Sequence, residues 1–217
     1  LNYKVLILSF CLFFWGTIAT AQQPAEIPAT QTLEKATEKK DKQGPTIEFS
    51  IKGGFYEEAI ELKLLSPGAV IYYSLDGSTP TSRSSVYSNP IPIDQTTIVR
   101  AIARKGKQLS KQVGHTYFIN EPYSNFPTIS IGVTPSILFD PENGLYIKGP
   151  NAQDSTWKLE GANFWSRKEI QVHTEFFEVD GENEFNSITG LRLFGGMSRL
   201  FPQKSMTIVT RDRYGKK

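Results

Sequence analysis

From Pro45 onward the hydrophobic positions recur at every second residue. Thr46-Ile47-Glu48-Phe49-Ser50 alternates and runs into Gly53-Gly54; Ile60-Glu61-Leu62-Lys63-Leu64 alternates and runs into Ser66-Pro67-Gly68. Side chains along a strand point to opposite faces in turn, so this spacing predicts half-buried strands. Val70 to Leu75 predicts another. It is closed by Asp76-Gly77-Ser78-Thr79-Pro80, where glycine supplies a positive φ and the aspartate accepts backbone N–H groups. Strands are also predicted over 98–103, ending at Lys105-Gly106-Lys107, and over 113–119. Short strands at near-regular spacing, with turn signals and no helical period, predict a β-sandwich from Pro45 to Asn120. Tyr72 and Tyr73 are adjacent on one strand, so one is expected in the core and the other at the surface. His115 reads as a satisfied or surface histidine.

The period-two pattern resumes after a connector, Glu121 to Pro127. Strands are predicted over 128–133, 145–149, 169–179, 191–194 and 205–209, with turns at Phe139–Gly144 and Asp180-Gly181. The slip in parity at Phe176 and Phe177 predicts a bulge or a strand buried on both faces. Glu169, Glu175 and Glu178, with His173 beside them, read as the solvent face of that strand. Gly195 to Lys204 joins the last two strands. Its basic residues Arg199 and Lys204, with Arg192 just before, flank a glycine pair whose N–H groups could approach an anion.

Before Pro45 the pattern is different. Lys4 precedes the apolar stretch Val5 to Trp15, and Ala19-Thr20-Ala21 ends it. A basic start, a short apolar core and a small-x-small ending predict a secretory signal peptide over 1–21. The stretch is shorter than the roughly 20 residues of a comfortable membrane span, so no stable span is expected after cleavage. Residues 22–44 hold few large aliphatics and end in Glu38-Lys39-Lys40-Asp41-Lys42, which predicts a disordered linker. The only Cys in the chain, Cys11, lies in the leader, so an internal disulfide framework and a Cys-rich zinc site are excluded. Lys+Arg 24 against Asp+Glu 22 leaves +2, too little to recruit nucleic acid by global charge.

Two resemblances add to this reading. Tyr72-Tyr73-Ser74-Leu75-Asp76-Gly77-Ser78-Thr79-Pro80-Thr81, Tyr87, Pro90-Ile91-Pro92-Ile93, Thr96 to Ala103 and Ser110 resemble the chitobiase/β-hexosaminidase C-terminal-type domain. That resemblance implies an immunoglobulin-like or fibronectin-III-like sandwich over 45–120, serving as an accessory spacer without a hexosaminidase active site.

Phe126-Pro127-Thr128-Ile129-Ser130-Ile131, Leu138-Phe139-Asp140, Asn143 to Gly149, Ala162-Asn163-Phe164-Trp165 and Val172-x-x-Glu175-Phe176-Phe177 resemble the start of the CotH family. So do Leu191 to Arg199 and Pro202-Gln203-Lys204-Ser205-Met206. CotH proteins are atypical secreted kinases with a distorted kinase-like α+β fold. The resemblance implies ATP and Mg as cofactors and phosphorylation of an envelope protein. It covers 121–217 as only the β-rich N-terminal part of such a domain. The chain is therefore expected to be an incomplete fragment, and no residue in it is assigned a catalytic or metal-binding role. Arg192, Arg199 and Lys204 are the candidate nucleotide contacts.

The fold expectation is mainly β: an Ig-like sandwich followed by the β-rich part of a kinase-like domain. The functional expectation is an exported bacterial CotH-like protein, secreted, periplasmic or at the cell surface. A non-catalytic envelope or glycan-binding protein built from β modules is the alternative.

Overall fold

The computed structural model describes residues 44–122 and 125–214. The expected signal peptide and linker lie outside them, apart from Gly44. The fold is mainly β. In the first module the strands are β1 (Glu48–Phe49), β2 (Gly54–Tyr56), β3 (Ile60–Leu62), β4 (Leu64–Leu65) and β5 (Val70–Ser74). They continue with β6 (Ser85–Val86), β7 (Ile91–Ile93), β8 (Thr97–Lys105), β9 (Gln108–Leu109) and β10 (Val113–Ile119). The main sheet runs β2-β10-β8-β5-β6, with β9 on β8; β2 joins β10 in parallel and the rest pair antiparallel. The small pairs β1-β4 and β3-β7 accompany it.

Alternation builds the core. Val99, Ala101 and Ala103 of β8, Tyr117 and Ile119 of β10 and Ile71 of β5 pack with Leu62, Leu64, Ile91 and Ile93. The whole arrangement is consistent with an Ig-like sandwich. Tyr73 packs against this core while Tyr72 on the next position does not, as period two requires. The Asp76 turn also forms as predicted. Asp76 Oδ1 accepts the Ser78 N–H at 2.9 Å, and Gly77 sits at φ 77°.

The second region is an antiparallel meander, β11-β12-β13-β14, made of β11 (Thr128–Gly132), β12 (Ile170–Phe177), β13 (Asn183–Leu193) and β14 (Met206–Val209). A short helix, α1 (Pro135–Phe139), follows β11. The strand expected over 145–149 is absent. Leu145 and Tyr146 donate their N–H groups to Ile137 and Leu138 instead, so the segment folds back on α1 as a turn. Conversely, β13 begins at Asn183, eight residues before the predicted start. Its first half is polar, and its pairing with β12 supplies the order that hydrophobic alternation does not.

The two sheets meet face to face. The reverse face of the sandwich, opposite its core, carries Arg100, Thr116 and Phe118, all buried, where an isolated module would show a solvated surface. Phe118 stacks on Phe55 at 4.4 Å between ring centroids and meets Phe177 of β12 edge-on at 5.4 Å. Thr116 Oγ1 donates to Glu175 Oε2 at 2.5 Å and receives the Ser130 hydroxyl at 2.6 Å. Arg100 donates to the carbonyls of Gly77 and Gly132, at 2.6 and 3.4 Å. Burial lowers its pKa to about 10, opposed by the charge of Asp76. Gly114 lies opposite Arg100 in the ladder, and a Cβ there would stand 3.0 Å from Arg100 Cγ and 3.2 Å from His173 Cε1. Glycine at that position lets the arginine stem and the imidazole fit between the sheets.

β12 is thus buried on both faces, and its register shifts between Phe176 and Phe177. The reading of Glu175 and His173 as a solvent face is overturned: they are 0% and 2% exposed. Their face is covered by the reverse side of the sandwich, and Ile170 and Val172 on the other face pack with Val133, Leu138, Leu145 and Leu191. Among the described residues no helix is long and apolar enough to cross a membrane.

Candidate functional site

The predicted cations lie at the exit of β13. Arg192 points outward between buried Leu191 and Leu193 and pairs with Thr207 of β14. The chain then turns through Phe194, Gly195 and Gly196 into a single 3-10 turn, Met197–Leu200. Gly195 sits at φ 97°, and a Cβ there would overlap the Ser198 hydroxyl, so the turn needs glycine.

Arg199 lies beneath this turn, 9% exposed. Its Nε donates to Gly195 O at 2.8 Å, its Nη1 to Phe164 O at 3.2 Å and Ser166 O at 3.0 Å, and its Nη2 to Leu193 O at 3.0 Å. A rigid fork of five donors suits such a cluster of carbonyls. Lys204 is also buried. Its ammonium donates to Arg199 O and Phe201 O at 2.8 and 2.9 Å and lies 4.5 Å from the Phe164 ring centre. Desolvation lowers its pKa. Both residues tie the loop to the sheet.

Arg192 remains exposed, and the fold brings Arg167 to it. The two arginines, with Phe194, Gly195, Gly196 and one side of Arg199, line a pocket of about 510 Å³. Among the described residues, neither Arg167 nor Arg192 has an ion-pair partner. Arg167 was not among the predicted contacts. It lies 25 positions before Arg192, and only the docking of the Asn163–Trp165 turn through Arg199 brings the two together. Chemically the pocket is a pair of free guanidinium groups beside a glycine turn, suited to a phosphate or carboxylate.

A second polar cluster occupies the seam between the sheets. Glu175 accepts Asn183 Nδ2 at 2.9 Å and Asn186 Nδ2 at 3.0 Å in addition to Thr116, with His115 Nδ1 3.4 Å away. His173 donates Nε2–H to Asn186 Oδ1 at 2.8 Å, which fixes its neutral tautomer. On either side of this seam lie clefts of about 890 and 440 Å³, and His115 and Asn186 line both. Glu169, just before β12, binds Arg211 at 3.0 Å, Tyr214 Oη at 2.7 Å and Arg213. Arg211 is the main reason its pKa falls to about 2, with Tyr214 next. No group of three or more His, Cys, Asp or Glu able to hold a metal occurs among the described residues.

The seam has a pH signature. Burial lowers the pKa of His173 below its ordinary 6.5. The folded chain therefore refuses a proton that the unfolded chain accepts. The stability contributed is complete above about pH 6.5 and declines as pH falls toward the folded-state value. Glu169 adds acid lability only lower, between about 4.5 and about 2. The melting temperature is expected to drop between pH 7.5 and 5.5, and His173→Gln is expected to flatten that drop. An equal drop in the variant would assign it elsewhere.

With this geometry in view, the comparisons with known proteins divide the chain. Residues 51–115 match the family model of the chitobiase/beta-hexosaminidase C-terminal domain. The match takes in β2 to β9 and the start of β10. The residues carrying the CotH-like resemblance, from Phe126 on, lie beyond it. No match is found among curated proteins.

Proposed function

We propose that this chain is an exported, CotH-like β protein whose second module binds a phosphate-bearing ligand at the Arg167–Arg192 pocket, ATP being the ligand its resemblance implies. The observation that carries the reading is the pair of exposed, unpaired arginines beside a glycine turn whose shape is fixed by Arg199 and Lys204. Two guanidinium groups suit the polyphosphate; the described residues offer no carboxylate cluster for Mg. In this reading the two guanidinium groups hold the phosphate oxygens. Lys204 acts in this reading as the fastener of the turn, and Arg192 as the ligand contact.

Titration calorimetry of the chain with ATP–Mg²⁺ tests this. Arg192→Ala is expected to weaken binding about tenfold, the loss of one charge-assisted contact worth roughly 1.4 kcal/mol, while leaving the melting temperature of the free protein within about 1 °C, as for most surface changes. Unchanged affinity in Arg192→Ala and in Arg167→Ala would sink the assignment.

The rival reading is a glycan-binding envelope protein. It is favoured by the larger seam cleft, where Gln112, Gln171 and Asn186 offer neutral amides. A melting-temperature rise with oligosaccharides but none with ATP–Mg²⁺ would select it, because a ligand that prefers the folded state stabilises that state.

A further inference from the structure

We infer that the loop around the Arg167–Arg192 pocket docks onto a membrane surface that carries anionic phosphate headgroups. The inference rests on the reading of that pocket as a phosphate site and names the source of the phosphate.

The observation is an excess of apolar surface where a folded domain has no use for it. Phe194, Met197 and Phe201 fall within eight residues of one loop and are 58%, 62% and 59% exposed. Single exposed hydrophobics are ordinary, but three large ones on one short loop mark an interaction surface. The loop cannot simply fold them inward. Arg199 holds Leu193, Gly195, Phe164 and Ser166 by their carbonyls, Lys204 holds Arg199 and Phe201, and Phe194 N–H is bonded to Ser205 O at 2.9 Å. The apolar side chains are therefore presented on a fixed frame, which lowers the ordering cost of docking.

Charge decides between the surfaces that could cover them. The pocket at the loop's base holds Arg167 and Arg192 beside Phe194, with no acidic residue in its lining. Apolar side chains at a tip with free cations at its base are the pattern of an interfacial anchor. The hydrocarbon enters the headgroup boundary while the guanidinium groups meet phosphates. An apolar protein partner would leave both cations unpaired at the rim. A phosphate-bearing bilayer satisfies both features at once.

Co-sedimentation of the full chain with vesicles tests the inference. One set is phosphatidylcholine alone and the other an equimolar mixture with phosphatidylglycerol. The apolar stretch Val5 to Trp15 is common to every variant, so the reading is the difference between variants. Wild type is expected to bind the mixed vesicles at least tenfold more tightly than the double variant Met197→Ser/Phe201→Ser, whose two positions lie outside the pocket lining. That variant is expected to keep wild-type affinity for inorganic pyrophosphate, whereas Arg192→Gln is expected to weaken pyrophosphate and vesicle binding alike, by about tenfold. Vesicle binding that is indifferent to lipid charge or to the double variant overturns the inference. So does concentration-dependent self-association that the double variant abolishes without any vesicle binding, since a second copy would then cover the loop. In the wild type, pyrophosphate binding without vesicle binding overturns the docking and leaves the phosphate site standing; absence of both in the wild type brings down the two together. A Phe194→Trp variant reads the same event locally. Its fluorescence is expected to be quenched by brominated phospholipid in the mixed vesicles, and absence of quenching counts against insertion.

Discussion

Glu175→Ala is expected to destabilise the folded chain by about 3–5 kcal/mol, the scale of opening a buried charged network from one side. The carboxyl is fully buried and accepts from Thr116, Asn183 and Asn186. Alanine would strand the buried Thr116 hydroxyl between the two sheets and strip the Asn183 and Asn186 amides of their shared acceptor. The defect would also spread. Thr116 relays the Ser130 hydroxyl, and Asn186 holds His173 and the Gly114 carbonyl, at 2.9 Å for the latter. Glu175→Gln keeps the shape and some acceptor capacity, so it should recover part of the loss. Urea unfolding followed by far-UV circular dichroism measures both. A loss under about 1 kcal/mol in Glu175→Ala, the range of an exposed site, would mean that the two sheets are not joined through this network. The same experiment asks whether the first module is a passive spacer. With Arg100, Thr116 and Phe118 all covered by β11 and β12, the two modules should unfold in one transition and not two.

Arg199→Ala is expected to cost about as much, roughly 3–5 kcal/mol, because a buried guanidinium and its partners are removed from one side only. Four backbone carbonyls from three separate stretches, around Phe164 and Ser166, at Leu193 and at Gly195, converge on this one side chain. Without it the buried carbonyls of Phe164 and Leu193 lose their partner, as do the part-buried ones of Ser166 and Gly195. Lysine should not rescue, since its ammonium cannot reach four carbonyls in a plane. The expected signature separates this role from ligand contact. Arg199→Ala should lower the melting temperature of the free protein strongly, whereas Arg192→Ala should leave it unchanged and weaken only phosphate binding. A stable Arg199→Ala protein with wild-type melting and lost ligand affinity would reverse the two roles.

How far these features were readable in the sequence depended on the range of the interactions that make them. β10 forms over 113–119 as its alternation predicts, because Tyr117 and Ile119 need only one buried face. The Asp76-Gly77 turn has an equally local signal: the aspartate carboxylate accepts the N–H two residues on, although Ile98 and Arg100 then hold Gly77 from β8. The double burial of β12 was legible as a break in parity at Phe176 and Phe177. Which partner would cover the second face was not, and so Glu175 and His173 read as solvent-facing. Polar residues in a strand carry the same pattern whether water or another polar sheet lies opposite. The first half of β13 was missed for the same reason, since Asn183 to Ser187 are ordered by their partners in β12 and by Gly114 and His115 of the sandwich.

The basic loop shows the same limit at a candidate site. Sequence located Arg192, Arg199 and Lys204 around a glycine turn, and they are there. It could not tell an arginine left exposed from one that points at carbonyls, nor that Arg167 would arrive from 25 positions away. Strands, turns and the glycine-dependent bend were set by steric and hydrophobic preferences that act between near neighbours. The welding of the two sheets through Glu175, and the division of the cations into fasteners and free groups, came only with tertiary packing. Burial decides whether a polar side chain must find a partner inside the protein or is left to meet one outside it.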